Sequence, residues 1–154
     1  MNLKIRDAHD EDAMVLAAFL RPEDEQEVDA AGFEDGLDAL RFSLERSDVC
    51  YVAEIDGEPV AMWGLRSDSL VGQTGAPWLL TGSGIEAHRL TFMRVARVML
   101  DEFLDRCPRG LHVRIDAEYS RALRWAKAMG FELSEPLPHP TTGRPFVQAI
   151  ARRD

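Results

Sequence analysis

Two adjacent cations, His88 and Arg89, stand at the head of a long amphipathic stretch. Cations at a helix N-terminus oppose the helix dipole and seldom sit there for stability alone. A phosphate clamp, with Arg89 as a bidentate donor, is one reason for the pair; a solvated first turn or an ion pair to Glu86 is the other. Glu54, Asp116 and Glu118 are strand-associated carboxylates suited to general-base work, and spacing singles out none of them. Such a base must lie within hydrogen-bond reach of the proton it takes, directly or through one water. His9, His88, His112 and His139 are scattered, with no HExxH or CxxC spacing, so no metal site is expected. Cys50 and Cys107 lie in apolar surroundings and read as small buried hydrophobes rather than a bridge.

Charge narrows the partners. The 154 residues carry 18 Lys and Arg against 27 Asp and Glu, a formal charge of −9. That balance argues against a nucleic-acid groove or an anionic membrane surface, both of which need a positive field. The charge is unevenly spread: residues 1–58 hold 5 basic and 17 acidic side chains, residues 59–154 hold 13 and 10. The run Glu23-Asp24-Glu25-Gln26-Glu27-Val28-Asp29 is dense enough to stay solvated as a helical face or loop. Alternatively the halves divide labour, a cation or polyamine going to the first and an anion to the second. Basic residues are nearly all Arg, only Lys4 and Lys127 being Lys, which suits bidentate or stacked contacts. With 45% apolar residues the chain reads as one globular domain over 1–154. The start of the chain lacks the apolar core of a signal peptide, and the uncharged run Ser69–Ile85 is short and broken by Gly and Pro. A cytoplasmic, metal-free protein is expected.

The elements that must position these residues follow from periodicity. Leu3–Arg6 alternates as a strand does. Asp10 then caps a helix with Met14, Leu16, Ala17, Phe19 and Leu20 on one stripe, stopped by Pro22. The acidic segment, with Gly32 and Gly36, reads as a loop or short, poorly formed helix, and Asp35–Arg46 as a helix with Leu37, Leu40, Phe42 and Leu44 inward. Residues 49–55 and 59–65 are β-rich runs around Asp56-Gly57, a hairpin signal. Gly64 within the second run marks a bulge or a close backbone approach. Pro77–Thr81 reads as a third strand of a meander, and Phe92, Val95, Ala96, Met99, Leu100 and Phe103 as the apolar face of a helix from about Glu86. A strand at 111–116, a helix bearing Ala122, Leu123, Ala126 and Met129, strand 131–133, a Pro- and Thr-rich loop and strand 146–150 complete the chain.

This order, the acidic opening Ile5-Arg6-Asp7-Ala8-His9-Asp10-Glu11-Asp12-Ala13, the Asp56-Gly57 hairpin and the closing string Ala122-Leu123-Arg124-Trp125-Ala126-Lys127-Ala128-Met129-Gly130-Phe131 resemble the GNAT superfamily of acyl-CoA N-acyltransferases. The resemblance covers nearly the whole chain. It implies an α+β, α-β-α fold: a mixed, mostly antiparallel sheet of about seven strands flanked by about four helices. It also implies acetyl-CoA as cofactor, a small amine or protein lysine as acceptor, and a homodimer as a common assembly. The strings Cys50-Tyr51-Val52-Ala53, Asp56 to Gly64 and Pro77-Trp78-Leu79-Leu80-Thr81, with Phe92-Met93-Arg94 and Asp101-Glu102, resemble a narrower group. These are small GNAT-like proteins of short-tailed phages, encoded near internal virion protein genes and linked to virion morphogenesis. That likeness implies a phage or host protein as partner, and host cytoplasm or the virion as location.

In such a site one strand pairs with the pantetheine arm and the next helix offers free N–H groups to the pyrophosphate. By the resemblance, Leu80, Thr81, Gly82, Gly84, His88 and Arg89 fall at the cofactor. Arg121 and Arg124, neighbours at i, i+3, suit either its nucleotide end or plain surface. The family's phosphate loop, Gln/Arg-x-x-Gly-x-Gly/Ala, is only partly matched: Ala87 is tolerable in a glycine's place, Arg89 is large, and Gly82-Ser83-Gly84 offers a displaced cradle. The family's Asn after strand 111–116 is met near Glu118, and the Tyr that protonates the departing thiolate is met by Ala126, which has no proton to give. Glu118 and Tyr119 are left as the catalytic candidates. Trp63 and Trp78, with Phe146, line the substrate cleft or else the core. The partial loop and the missing Tyr favour a phage-type protein with a degenerate acyl-CoA site; an active N-acetyltransferase is the alternative.

Overall fold

The structure, a computed structural model, describes residues 2–69 and 71–153. Four strands run antiparallel: β1 (Leu3–Asp7), β2 (Val49–Ile55), β3 (Glu58–Ser67) and β4 (Thr74–Thr81). Asp56 and Gly57 both have positive φ, 51° and 86°, as the two central residues of a type I′ hairpin turn require. At Gly64 the expected close approach is found: a Cβ there would come within 2.7 Å of both Trp78 Nε1 and the Val49 carbonyl oxygen. The irregularity of register lies elsewhere, on β2 between Ala53 and Glu54.

Beyond β4 the sheet changes character. β5 (Gly110–Asp116) lies parallel to β4 but pairs with it only at Thr74–Gly110 and Gly75–Leu111. The Gly82 N–H donates to Val60 O, so even-numbered residues of β4 turn their backbone groups toward β3 and odd-numbered ones toward β5. The first odd residue past Gly75 is Pro77, which has no N–H, so the ladder cannot continue there. The two strands consequently splay. β8 (Pro145–Ala151) pairs antiparallel with β5, and two short strands, β6 (Glu132–Leu133) and β7 (Leu137–Pro138), pair with β8. The spatial order is β1-β2-β3-β4-β5-β8-β6, with β7 also on β8.

Helices cover both faces. On one, α1 (Asp10–Ala17), α2 (Pro22–Ala30) and α3 (Gly36–Arg46) bury Ala13, Leu16, Val28, Ala39 and Leu40 against Val52, Met62 and Leu80. On the other, α4 (Arg89–Arg106) and α5 (Ser120–Ala128) bring Phe103 and Ala126 against Ala61, Trp63, Leu65, Leu111, Ile115 and Ala149. A 3-10 turn over Ser83–His88 precedes α4.

The α+β class and the mostly antiparallel sheet are as expected, with eight strands rather than about seven and five helices rather than about four. The extra helix is α2: Pro22 does not merely end α1 but opens the next helix, as proline at a first helical position can without losing a hydrogen bond. The extra strand, β7, lies in the expected Pro- and Thr-rich loop. Asp10 does not cap α1; the Asp12 carboxylate accepts from the His9 N–H at 2.9 Å, while Asp10 pairs with Arg41. Met14, Phe19 and Phe42 are exposed rather than inward, and Phe42 carries the Arg46 guanidinium on its ring at 3.7 Å. No described helix is long and apolar enough to cross a membrane.

Candidate active site

Helix α2 lies across the open end of the splay and touches both strands. At its start the Arg21 N–H donates to Thr81 O at the end of β4. Thr81 Oγ1 donates to Asp24 Oδ2, which also accepts from Arg21 Nε at 3.1 Å. At its other end Glu27, Ala30 and Ala31 line a small pocket with Arg114 and Asp116 of β5, His139, Arg144 and Phe146. Asp24, Glu27 and Val28 follow helical spacing and face inward, so the acidic run is solvated only on its outer side. Glu23, Asp24 and Glu25 in the first turn also complement the helix dipole.

Burial sets the electrostatics of this corner. It pushes the Asp24 carboxyl up, against the hydrogen bond from Thr81 and the Arg21 charge. The Glu27 carboxyl is pushed up to about 7, first by burial and then by the Asp116 and Asp24 charges; the Asp116 backbone and the Arg144 guanidinium oppose this. Glu27 Oε1 and Glu23 Oε2 are buried without a hydrogen-bond partner. Tyr119, just before α5, belongs to the same cluster: burial and the Asp24, Glu23 and Glu27 carboxylates push it up to about 12, with Arg21 opposing. Arg121 ties α5 to this corner through Glu23 at 3.4 Å. Glu27 and Tyr119 thus share one acidic corner, the carboxyl pushed up to about 7 and the phenol to about 12.

The other sequence-derived candidates are dispersed. Leu80 turns its backbone toward β3 and its side chain into the α1–α3 layer, so the edge facing the splay is held by Leu79 and Thr81 instead. Gly82 and Gly84 are spaces for packing: a Cβ would come within 2.9 Å of Leu16 Cδ1 at the first and 2.8 Å of Val60 Cγ1 at the second. The Gly82 and Ser83 N–H groups are spent on Val60 O and Phe19 O, which removes the displaced cradle. His88 is half-buried at an apolar groove with Ile85, Thr91 and Phe92, and Arg89 is exposed as the first residue of α4. Glu86 is not their partner, since it pairs with Arg21 at 3.3 Å. Arg124 is exposed on α5, and Ala126 is buried in the core.

Trp63 and Trp78 do not share a cleft. Trp63 packs on the α4 face against Tyr51 and Phe92, while Trp78 packs on the opposite face and donates to Ser47 Oγ at 2.7 Å. Residues on neighbouring strands share a face only at matching parity, and these two do not. Of the carboxylates, Glu54 pairs with Arg6, and Glu118 is exposed with its N–H bonded to Asp116 Oδ1. Of the expected residues, Thr81, Asp116 and Tyr119 join the cluster, with Arg121 and Phe146 at its edge. Asp24 and Glu27 are its unexpected members, and their i, i+3 spacing was the available signal. Among the described residues no group of His, Cys, Asp and Glu is arranged to hold a metal ion.

No family model and no curated protein matches the chain. Solved structures do. A spermidine N-acetyltransferase chimera of Vibrio cholerae SpeG and hSSAT is 10% identical, with 99% of this chain and 96% of that chain covered and a TM-score of 0.73. An acetyltransferase of the GNAT family from Streptococcus pneumoniae is 15% identical, with 99% and 100% covered and a TM-score of 0.66. The aminoglycoside acetyltransferase AAC(6')-Ib in complex with coenzyme A is 16% identical, with 99% and 95% covered and a TM-score of 0.68. At these identities the likeness is one of fold, and the fold is GNAT.

Proposed function

We propose that the protein is an acyl-CoA-dependent N-acyltransferase of a small cationic amine, with Glu27 as general base and Tyr119 as the proton donor. The observation that carries this reading is Glu27, a carboxyl pushed up to about 7 where α2 crosses the splay. Acetyl-CoA, when bound, supplies an acyl group activated as a thioester. The Leu79 backbone groups point into the splay, where β5 offers them no partner, and so suit the amides of a pantetheine arm. Arg89 and Arg124 as side-chain cations, with the His88 ring N–H as a donor, suit its phosphates in place of loop amides that are already spent. An ammonium meets Glu23, Asp24, Glu27 and Asp116 together, and Glu27, pushed up to about 7, is ready to take a proton and free the amine's lone pair. Tyr119, kept protonated by burial and then by its acidic neighbours, holds a proton for the leaving group. Spermidine and aminoglycoside acetyltransferases share the fold, which agrees with a cationic acceptor.

The test is acetyl transfer from acetyl-CoA to a panel of mono-, di- and polyamines. Wild type is expected to turn over with a kcat/KM profile whose acid limb falls near pH 7. Glu27→Gln is expected to lose about 100-fold or more of it, the scale of a positioned base. No turnover on any amine, with no thermal shift at millimolar CoA, overturns the proposal.

One observation favours a second reading. The Gly82 and Ser83 amides are committed to packing and Ala126 stands where the family carries Tyr, as in a protein that keeps the fold without turnover. The resemblance to short-tailed-phage proteins then supplies a role in virion morphogenesis or host-protein binding. Presence of the chain at fixed stoichiometry in purified virions, or in a pulldown with one host protein, tests it.

A further inference from the structure

On the outer side of Glu27 a single loop closes over the acids. Residues 139–144 join β7 to β8, and their turn is tightly self-bonded. His139 N–H donates to Arg144 O and Gly143 N–H to His139 O, both at 2.8 Å. His139 Nδ1 accepts from the N–H groups of Thr141 and Thr142 at 3.1 and 3.3 Å. Pro140 to Gly143 are otherwise exposed, so the turn rests on the protein through its two ends.

At one end Arg144 reaches into the pocket beside Glu27. Its Nη2 lies 2.8 Å from Asp116 Oδ2 and its Nη1 lies 3.9 Å from Asp29 Oδ2. The Asp116 side chain is only 9% exposed, and among the described residues Arg144 is its sole ion-pair partner. The Arg144 side chain is 44% exposed, so the pair is half open to solvent, and what withdrawal of Arg144 leaves unpaired is the Asp116 carboxylate. A neutral ligand that displaces Arg144 leaves that carboxylate unpaired, whereas a ligand carrying its own positive charge replaces what it removes.

We propose that Arg144 is an internal stand-in for the second cation of the acceptor. Loop 139–144 withdraws it, and the distal ammonium of a diamine or polyamine takes its place on Asp116 and Asp29. The device selects acceptors with two amino groups over monoamines. It rests on the acyltransferase reading for the entry of an amine at Glu27, and its test needs no acetyl transfer.

Spermidine and butylamine are the probes, titrated calorimetrically into the full chain without acetyl-CoA, with hydrogen exchange followed across residues 139–144. Wild type is expected to bind spermidine, with faster exchange at Gly143 and Arg144 on binding. Arg144→Gln is expected to bind spermidine about tenfold tighter, because no competitor has to leave first, and to bind butylamine unchanged. Absence of spermidine binding, unchanged loop exchange, or an Arg144→Gln affinity equal to or weaker than wild type overturns the proposal. If Arg144→Gln does not fold, the wild-type loop exchange decides alone. Spermidine binding with loop release but no acetylation defeats the acyltransferase reading and leaves this one standing; acetylation with an unmoved loop does the reverse.

Discussion

Ionising Glu27 burdens the fold as well as arming the proposed base. Its carboxyl is pushed up to about 7 by burial, then by Asp116 and Asp24, whereas the unfolded chain ionises it in the ordinary carboxylate range. Between those values the folded state binds more protons, so this contribution to stability is full at low pH and lost as pH rises through 7. Glu27→Gln is therefore expected to stabilise the protein, and to do so by about 2 kcal/mol more at pH 8 than at pH 5. Urea unfolding at the two pH values reads this, and an equal effect at both would remove the case for a strained carboxylate. The same residue shows where the sequence is silent. Glu27 and Asp24 sit in a run of acids whose density implies solvent, and density cannot say which members turn inward. Tyr119 was legible as a candidate because the resemblance calls for a Tyr on the closing helix, Ala126 stands at that place and Tyr119 lies nearby in sequence. Its acidic surroundings were not, since they come from residues some ninety positions earlier in the chain.

Elements divide along the same line between local and distant causes. Alternation, helical spacing and the Asp56-Gly57 turn are local, and they locate β1, β2, β3, α3, α4 and α5 before any packing is known. α2 escapes them because its inward face is partly acid and its first residue is a proline normally read as a stop. The splay escapes them because it depends on where β5, more than thirty residues later, ceases to pair with β4. Pro77 is its local cause. Pro77→Val restores the missing N–H at an odd position of β4, and is expected to extend the ladder and close the splay. The new amide should then be protected from hydrogen exchange and CoA binding should weaken, with stability equal or raised; an unprotected amide with intact CoA binding would show that the strands part for another reason. Gly64 marks a second tight place in the sheet. Gly64→Ala drives a methyl onto the Val49 carbonyl and the Trp78 indole, contacts of 2.7 Å that one backbone atom cannot relieve. A loss of about 1–3 kcal/mol in denaturant unfolding is expected, together with a shift in tryptophan emission as the Trp78–Ser47 hydrogen bond breaks.

Across the whole molecule the uneven charge becomes a polarity of faces. The acidic first part of the chain builds α1, α2 and α3, which share one side of the sheet; the basic remainder builds α4 and α5 on the other. Arg89, Arg94 and Arg97 on α4 have no ion-pair partner among the described residues, so that side keeps a local excess of positive charge despite the net −9. A cation is thus drawn to the α2 side and an anion to the α4 side, the division expected of an enzyme that joins a cationic amine to a polyanionic donor. Attraction of this kind acts before contact and is screened over about 8–10 Å at ordinary ionic strength. For spermidine, kcat/KM is therefore expected to fall about tenfold between 20 and 300 mM salt while kcat at saturation holds. Butylamine, with one charge, should show a clearly shallower slope. Neutralising two exposed acids outside the site, Glu11 and Glu25, as a Gln pair should flatten the spermidine slope without moving kcat. Equal slopes for the two amines, or a slope indifferent to that pair, would mean that the acidic face serves solubility alone.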